Sequence, residues 1–449
     1  MLHSGQRRAA GWSCSSSGSR LHAHVRCTDT TLYPAGVAVV FWRWILNRAD
    51  GVSVPGRRWS VPMSPRAIDE PGRSATPLEL LFDLTFVVAI ALLAADFAHA
   101  VADDHVTRAI PSYLMVFFAI WWAWMNFTWF ASAYDTDDAP YRLLTMIQMG
   151  GVLVLASGVP AAFEQRDFAV VTFGYVVMRV AMVVQWLRAA RADPQRRGTS
   201  LRYAIGTGTV QVGWLLRLLL PTSLGVPSFV VLAAVELAVP YWAERRHTTP
   251  WHPHHIAERY GLFTIIVLGE CVLAATTAIQ ATFTDAGVDL DLVLVGVGAL
   301  VLLFMLWWLY FLQAAGPGLE HRRELSFLWG YGHYGIFAGL AALGAGLEVT
   351  AESLAHPIPA APPLVAAVVA VPVMIVLALI WALHAPMISR HPSHPAAVLL
   401  AVIAIGTVAA LVPLGLPLPW AVATMSVPPA VLVTAAALTQ QRAQPNAQP

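Results

Sequence analysis

His255-Ile-Ala-Glu-Arg-Tyr-Gly-Leu-Phe-Thr-Ile-Ile-Val-Leu-Gly-Glu270-Cys-Val-Leu-Ala274 is the stretch that decides the fold. It starts at a charged pair, Glu258-Arg259, and continues through roughly 20 apolar residues, about the length that crosses a bilayer core. Glu270 interrupts this pattern. It lies twelve positions beyond Glu258, so at about 1.5 Å per residue it sits roughly 18 Å further along a helix. An ionisable side chain at that depth costs about 2.5–3.5 kcal/mol on insertion scales, and it belongs beside a partner, a cavity or a pathway rather than lipid.

The rest of the chain has the same character. Hydrophobic residues make up 57% and charged residues 12% of 449 positions, too apolar for an ordinary soluble fold. The expectation is an all-α, polytopic membrane bundle. A formal charge of +1 gives no reason to expect a nucleic-acid partner. Lys is absent, so Schiff-base chemistry is excluded, and every Arg is a fixed charge. Cys14, Cys27 and Cys271 make no disulfide framework, and Cys14, His22, His24 and Cys27 match no usual zinc spacing. Neither a metal nor a cofactor is expected. There is no Gly-rich phosphate loop, HExxH or Gly-x-Ser-x-Gly arrangement, which argues against an ATP-driven pump and a hydrolase.

Apolar runs long enough to span fall near 78–99, 111–133, 142–162, 168–188, 202–221, 226–243, 256–281, 289–313, 326–348, 361–384, 395–413 and 417–438. This gives about twelve transmembrane helices in a domain covering 71–440. Residues 1–70 read as a disordered or non-native extension, with Met63 as an alternative start, and 441–449 as a disordered tail. Twelve spans place both termini on one side, with Arg73, Arg142, Arg188, Arg191, Arg196, Arg197, Arg202, Arg245, Arg246, Arg259, Arg322, Arg323, Arg390 and Arg442. The other side receives only Arg108 and Arg166. Positive charge stays inside, so both termini are expected to be cytoplasmic in a bacterial inner membrane.

A weak internal repeat accompanies this count. Glu79-Leu-Leu-Phe-Asp-Leu-Thr-Phe-Val-Val opens the first span and Glu258-Arg-Tyr-Gly-Leu-Phe-Thr-Ile-Ile-Val the seventh, with Glu, Thr and Val at matching offsets. Trp121-Trp122 is echoed by Trp307-Trp308. Two parallel six-helix halves, 76–245 and 249–438, are the expectation that follows, an arrangement some secondary transporters use.

Together these stretches resemble the bacterial low temperature requirement protein A (LtrA) family. The matching residues are Pro77-Leu-Glu-Leu-Leu-Phe-Asp83-Leu-Thr-Phe-Val, His255-Ile-Ala-Glu258-Arg259 through Leu268-Gly269-Glu270, Trp307-Trp308-Leu-Tyr310-Phe311, and Tyr331-Gly-His333 with Gly335-Ile336. The resemblance runs from about residue 74 to at least 350. It implies an integral membrane protein named for a growth phenotype and supplies no reaction or substrate. Such sequences often carry an acidic residue after Tyr310-Phe311, where this chain has Leu312 and Gln313.

The candidate site residues divide by how easily a structural role absorbs them. Thr76, Pro77 and Glu79 form a helix-capping box, with Asp83 one turn further on the same face. Glu258 and Arg259 mark the start of the central helix. Glu270 has no cap to serve; it either pairs with Arg179, or bonds Gln148, Gln185 or Gln211, or exchanges a proton or cation as the protein changes shape. Glu236 offers the same choices. His333 reads as a hydrogen-bonder or a proton relay, and His252, His254 and His255 as a loop at the membrane surface. The function expected is a secondary transporter of a small solute or ion, its partner alongside the lipid, proton-coupled through buried carboxylates, with Glu270, Asp83, Glu236, Arg179 and His333 lining the pathway and Glu270 as the group that changes protonation. The rival readings are a membrane-embedded enzyme acting on lipid and a structural or stress-related membrane protein.

Overall fold

A computed structural model describes residues 59–443, apart from 282, 285–286 and 388–392. Cys14, His22, His24 and Cys27, the proposed extension up to residue 58 and the tail from 444 lie outside the described residues. Long helices account for nearly all of the described chain. They are α1 (Pro77–Ala102), α2 (Val106–Tyr134), α3 (Ala139–Ser157), a short α4 (Val159–Glu164), α5 (Ala169–Ala192), α6 (Arg197–Arg217) and α7 (Gly225–Glu244). After these come α8 (Pro253–Ala281), α9 (Leu290–Phe311), a short α10 (Ala315–His321), α11 (Ser326–Ala355), α12 (Pro362–His384), α13 (Pro395–Leu411), α14 (Leu418–Met425) and α15 (Val427–Ala443). The one strand pair among the described residues is two residues long on each side, Phe283–Thr284 with Gly287–Val288.

Ten helices among the described residues are long and apolar enough to cross a membrane. The two other spans expected from sequence fall on α6 and α8, which are helices of 21 and 29 residues. Helix α6 is the more polar of the two: Arg202, Thr207 and Gln211 interrupt its apolar residues, and it holds them against its neighbours rather than outward. The outer surface is apolar where a soluble protein would be wet. Leu81, Leu84 and Leu92 of α1, Val230 and Val231 of α7, and Leu399, Leu400 and Ile403 of α13 are all exposed. Such a belt suits hydrocarbon.

Packing follows from small residues and large aromatics. A Cβ added at Gly174 of α5 would lie 2.4 Å from the Leu155 amide nitrogen and 2.5 Å from the Gly151 carbonyl oxygen of α3, so these helices touch backbone to backbone. Helices α11 and α12 make a similar approach, where a Cβ at Gly346 would lie 2.7 Å from the Val368 carbonyl oxygen. Helix α2 runs through the interior, with Trp121, Trp122 and Trp124 fully buried. Their echo does not behave alike, since Trp307 and Trp308 are about half exposed.

Residues upstream of α1 also pack. Met63 is buried, the Val61 amide donates to Asp138 Oδ2 at 3.0 Å, and the Arg66 amide donates to the Ala133 carbonyl at 2.9 Å. The helical body therefore reaches upstream of residue 71.

Candidate functional site

Two helices that start at the same end of the bundle bring the site together. At the start of α1, Thr76 Oγ1 accepts from the Glu79 amide at 3.3 Å and Glu79 Oε2 accepts from the Thr76 amide at 2.7 Å, the capping box expected from sequence. Glu79 and Asp83 are four apart and share a face. At the start of α8, His255 and Arg259 are also four apart. Because α1 and α8 pack against each other, these two faces meet.

The contacts are close and shut off from the surface. Arg259 grips Asp83 with both arms of its fork, Nε to Oδ2 at 3.1 Å and Nη2 to Oδ1 at 2.5 Å. Its third nitrogen, Nη1, lies 2.8 Å from Glu79 Oε1 in an ionic contact that makes no hydrogen bond. His255 Nε2 faces Glu79 Oε1 at 3.2 Å, and Trp124 Nε1 donates to Asp83 Oδ1 at 2.7 Å. Glu79, Asp83, His255 and Arg259 are all 0% exposed. Arg73 extends the group, 3.9 Å from Glu79 and 3.5 Å from Asp135, which follows the end of α2. Three carboxyls, Glu79, Asp83 and Asp135, therefore face two guanidinium groups, Arg73 and Arg259. Burial, helped by the Glu79 charge and opposed by Arg73, pushes Asp135 up to about 6. His252, just before α8, accepts the His255 amide on Nδ1 at 3.3 Å and so presents Nε2–H to the Glu70 carbonyl at 3.1 Å, a neutral ring whose pKa burial lowers further.

A second polar cluster lies between α2, α5, α6 and α7. Arg179 Nη2 meets Glu236 Oε2 at 3.1 Å. Glu236 also accepts from Trp122 Nε1 at 2.8 Å, Tyr175 OH at 2.9 Å, Gln211 Nε2 at 3.0 Å and Trp214 Nε1 at 3.2 Å. Five donors converge on this one buried carboxylate, while Arg179 Nε and Nη1 are buried without a hydrogen-bond partner. Of the partners the sequence offered Glu270, Arg179 and Gln211 serve Glu236, Gln185 reaches the Tyr141 carbonyl and accepts from Arg188, and Gln148 is buried with Nε2 unbonded.

Glu270 belongs to neither cluster. It is half-buried on α8, next to exposed Gly269, with exposed Leu273 one turn further on and half-buried Ile266 one turn back, and it has no hydrogen bond or ion pair among the described residues. Glu258 is half-buried and likewise outside both clusters. His333, fully buried on α11, donates from Nδ1 to the Trp329 carbonyl at 2.7 Å, so Nε2 accepts from Tyr310 OH at 3.0 Å. Its ring is neutral and satisfied at both nitrogens.

His255 is not in a surface loop, as the sequence suggested, but the third residue of α8 and part of the charged group. In the sequence Arg73 reads only as one charge of the arginine-rich side, Trp124 only as packing, and Asp135 carries no motif that marks it. The available signal was a pair of acids at i, i+4 opening one helix and a pair of bases at i, i+4 opening another that starts on the same side.

This architecture defines a polytopic helical membrane protein. Residues 74–436 match the model of the bacterial low temperature requirement A protein (LtrA) family, and the chain belongs to that family. It is similar to an uncharacterised protein, RA0937, of Rhizobium meliloti (strain 1021), at 29% identity over 297 residues that cover 62% of this chain and 69% of the relative. No solved structure matches.

Proposed function

We propose that the chain is a secondary transporter of a small solute or ion, coupled to proton exchange at buried carboxyls, in a bacterial inner membrane with both termini cytoplasmic. The observation that carries this reading is the charged group joining α1 to α8, the first helices of the two proposed halves. It is sealed, holds three carboxyls against two guanidinium groups, and ties the halves together at the arginine-rich end. In alternating access, parting these helices opens the cytoplasmic side and their closure shuts it. Glu270 lies on the same helix eleven residues beyond Arg259, roughly 16 Å away, and is the carboxyl most free to take up and release a proton.

The two-halves reading gains support from the order of packing. In the first half α1 packs on α2 and α3, and α3 on α5; in the second α8 packs on α9 and α11, and α11 on α12. Twelve spans, with α6 and α8 included, give this correspondence. The pairing of Arg179 with Glu236 favours a second reading, in which all the buried charges only hold helices together. A lipid-acting enzyme gains less, because Glu79 and Asp83 point at Arg259 rather than into an open cleft.

Proton release and uptake by purified protein after a small pH step, followed with an indicator dye, separates the first two readings. Transport coupling predicts a uptake component that Glu270→Gln removes while the variant keeps the wild-type melting temperature. An unchanged proton count in a folded variant eliminates Glu270 as the exchanging group.

A further inference from the structure

We infer that a cavity at the end of the bundle opposite the α1–α8 charged group binds a phosphate-type oxyanion. The cavity measures about 210 Å³ and lies between the first turns of α2, the residues just before α5, and the connection from the end of α6 to the start of α7. The only arginines that the sequence assigns to that side, Arg108 and Arg166, both line it, and Arg217 at the end of α6 lines it from the membrane side. Positive charge is otherwise kept off this face, so its convergence on one hollow calls for a counter-charge.

Arg217 is the anchor. It is only 8% exposed, and its guanidinium lies 5.1 Å from the Phe168 ring and 5.7 Å from the Phe229 ring. Nε and Nη2 donate to the Gly225 carbonyl at 3.3 and 3.0 Å, and Nη2 also reaches Met115 Sδ at 3.6 Å. No carboxylate pairs with it among the described residues, and Nη1 is neither bonded nor sealed off. A buried guanidinium without a counter-ion is costly, and an anion in the cavity supplies one. Asp167 is the acid in the lining, with Oδ1 engaged by the Ala169 amide at 2.8 Å, leaving the site with three positive charges against one negative. Gly225 and Val226, the first residues of α7, also line it, so the positive end of that helix adds to the field. Guanidinium forks favour a planar or tetrahedral oxyanion over a halide.

Such a phosphate is either free in solution or the headgroup of a lipid, since the cavity lies at a membrane surface. The inference stands apart from transport. The test uses the full-length protein in neutral detergent, titrated at constant ionic strength with inorganic phosphate and separately with dihexanoyl phosphatidic acid. The expected result is a saturable rise in melting temperature, with the apparent Kd weakened at least tenfold in the Arg108→Gln/Arg166→Gln variant, whose two side chains are exposed and whose unliganded melting temperature is measured alongside wild type. Saturation by inorganic phosphate assigns a free oxyanion, and saturation by the lipid analogue alone assigns a headgroup. If neither ligand shifts the transition, or the double variant binds both as wild type does, the site is overturned.

Discussion

Removing the Arg259 guanidinium should damage this protein more than removing any other single exposed or buried charge at the arginine-rich end. Arg259→Met leaves Glu79 and Asp83 together in a dry interior with their common partner gone. Each charge-assisted hydrogen bond lost is worth about 1.5–3 kcal/mol, and Arg259 makes two of them to Asp83 besides its ionic contact with Glu79. Breaking a buried pair from one side costs about 3–5 kcal/mol, mostly because the remaining charge is stranded. Arg259→Met should fall within that range. The Glu79→Gln/Asp83→Asn/Arg259→Met triple variant removes the stranded charges and should recover most of the loss. Arg259→Lys keeps the charge but not the fork, and should lie between. Reversible unfolding in mixed micelles, or the melting temperature in detergent, measures all three. A single variant within about 1 kcal/mol of wild type, or a triple no more stable than the single, refutes the reasoning.

Other perturbations test separate parts of the structure. Asp135 carries a pH signature: its folded pKa of about 6 lies above the ordinary 3.8, so the folded state binds the extra proton and stability is full below about pH 4. It is lost as pH rises to about 6, by about 3 kcal/mol at 1.36 kcal/mol per unit. Melting curves of Asp135→Asn should lack that decline, and an identical decline would reject the assignment. Gly174→Ala should destabilise by about 1–3 kcal/mol, because the new Cβ meets backbone of α3 that cannot swing aside; an unchanged melting temperature would count against the backbone contact. Glu236→Gln strands Arg179 and should cost about 3 kcal/mol or more, with Arg179→Met in the same chain restoring part of it. Independent, additive losses in that double variant would show that the two side chains do not act as a pair.

Depth along a helix was legible in the sequence, whereas direction around it was not. Counting residues placed Glu270 far inside α8 and Thr76-Pro77-Leu-Glu79 at a helix start, because rise per residue and capping are local. Which way Glu270 faces could not be read from periodicity, since lipid and protein interior are both apolar and Ile265, Val267, Leu268 and Leu273 surround the helix with similar side chains. The pairing of Arg179 with Glu236 rather than Glu270 depends on α5 and α7 lying near each other, which no local signal reports. The charged group at the start of α1 and α8 falls between these cases. Its four residues are visible as two i, i+4 pairs, but their meeting depends on the two helices packing side by side.

In the proposed transporter, proton exchange at half-buried Glu270, deep along α8, moves charge part of the way across the membrane. Proteoliposomes on a solid-supported membrane, given a pH step, test it most directly through the transient current. The account predicts a current that scales with protein density, disappears in Glu270→Gln and slows in Arg259→Lys. Currents no larger than those of empty liposomes at every pH from 5 to 8 would contradict it, leaving a helical bundle whose buried charges serve only to hold it together.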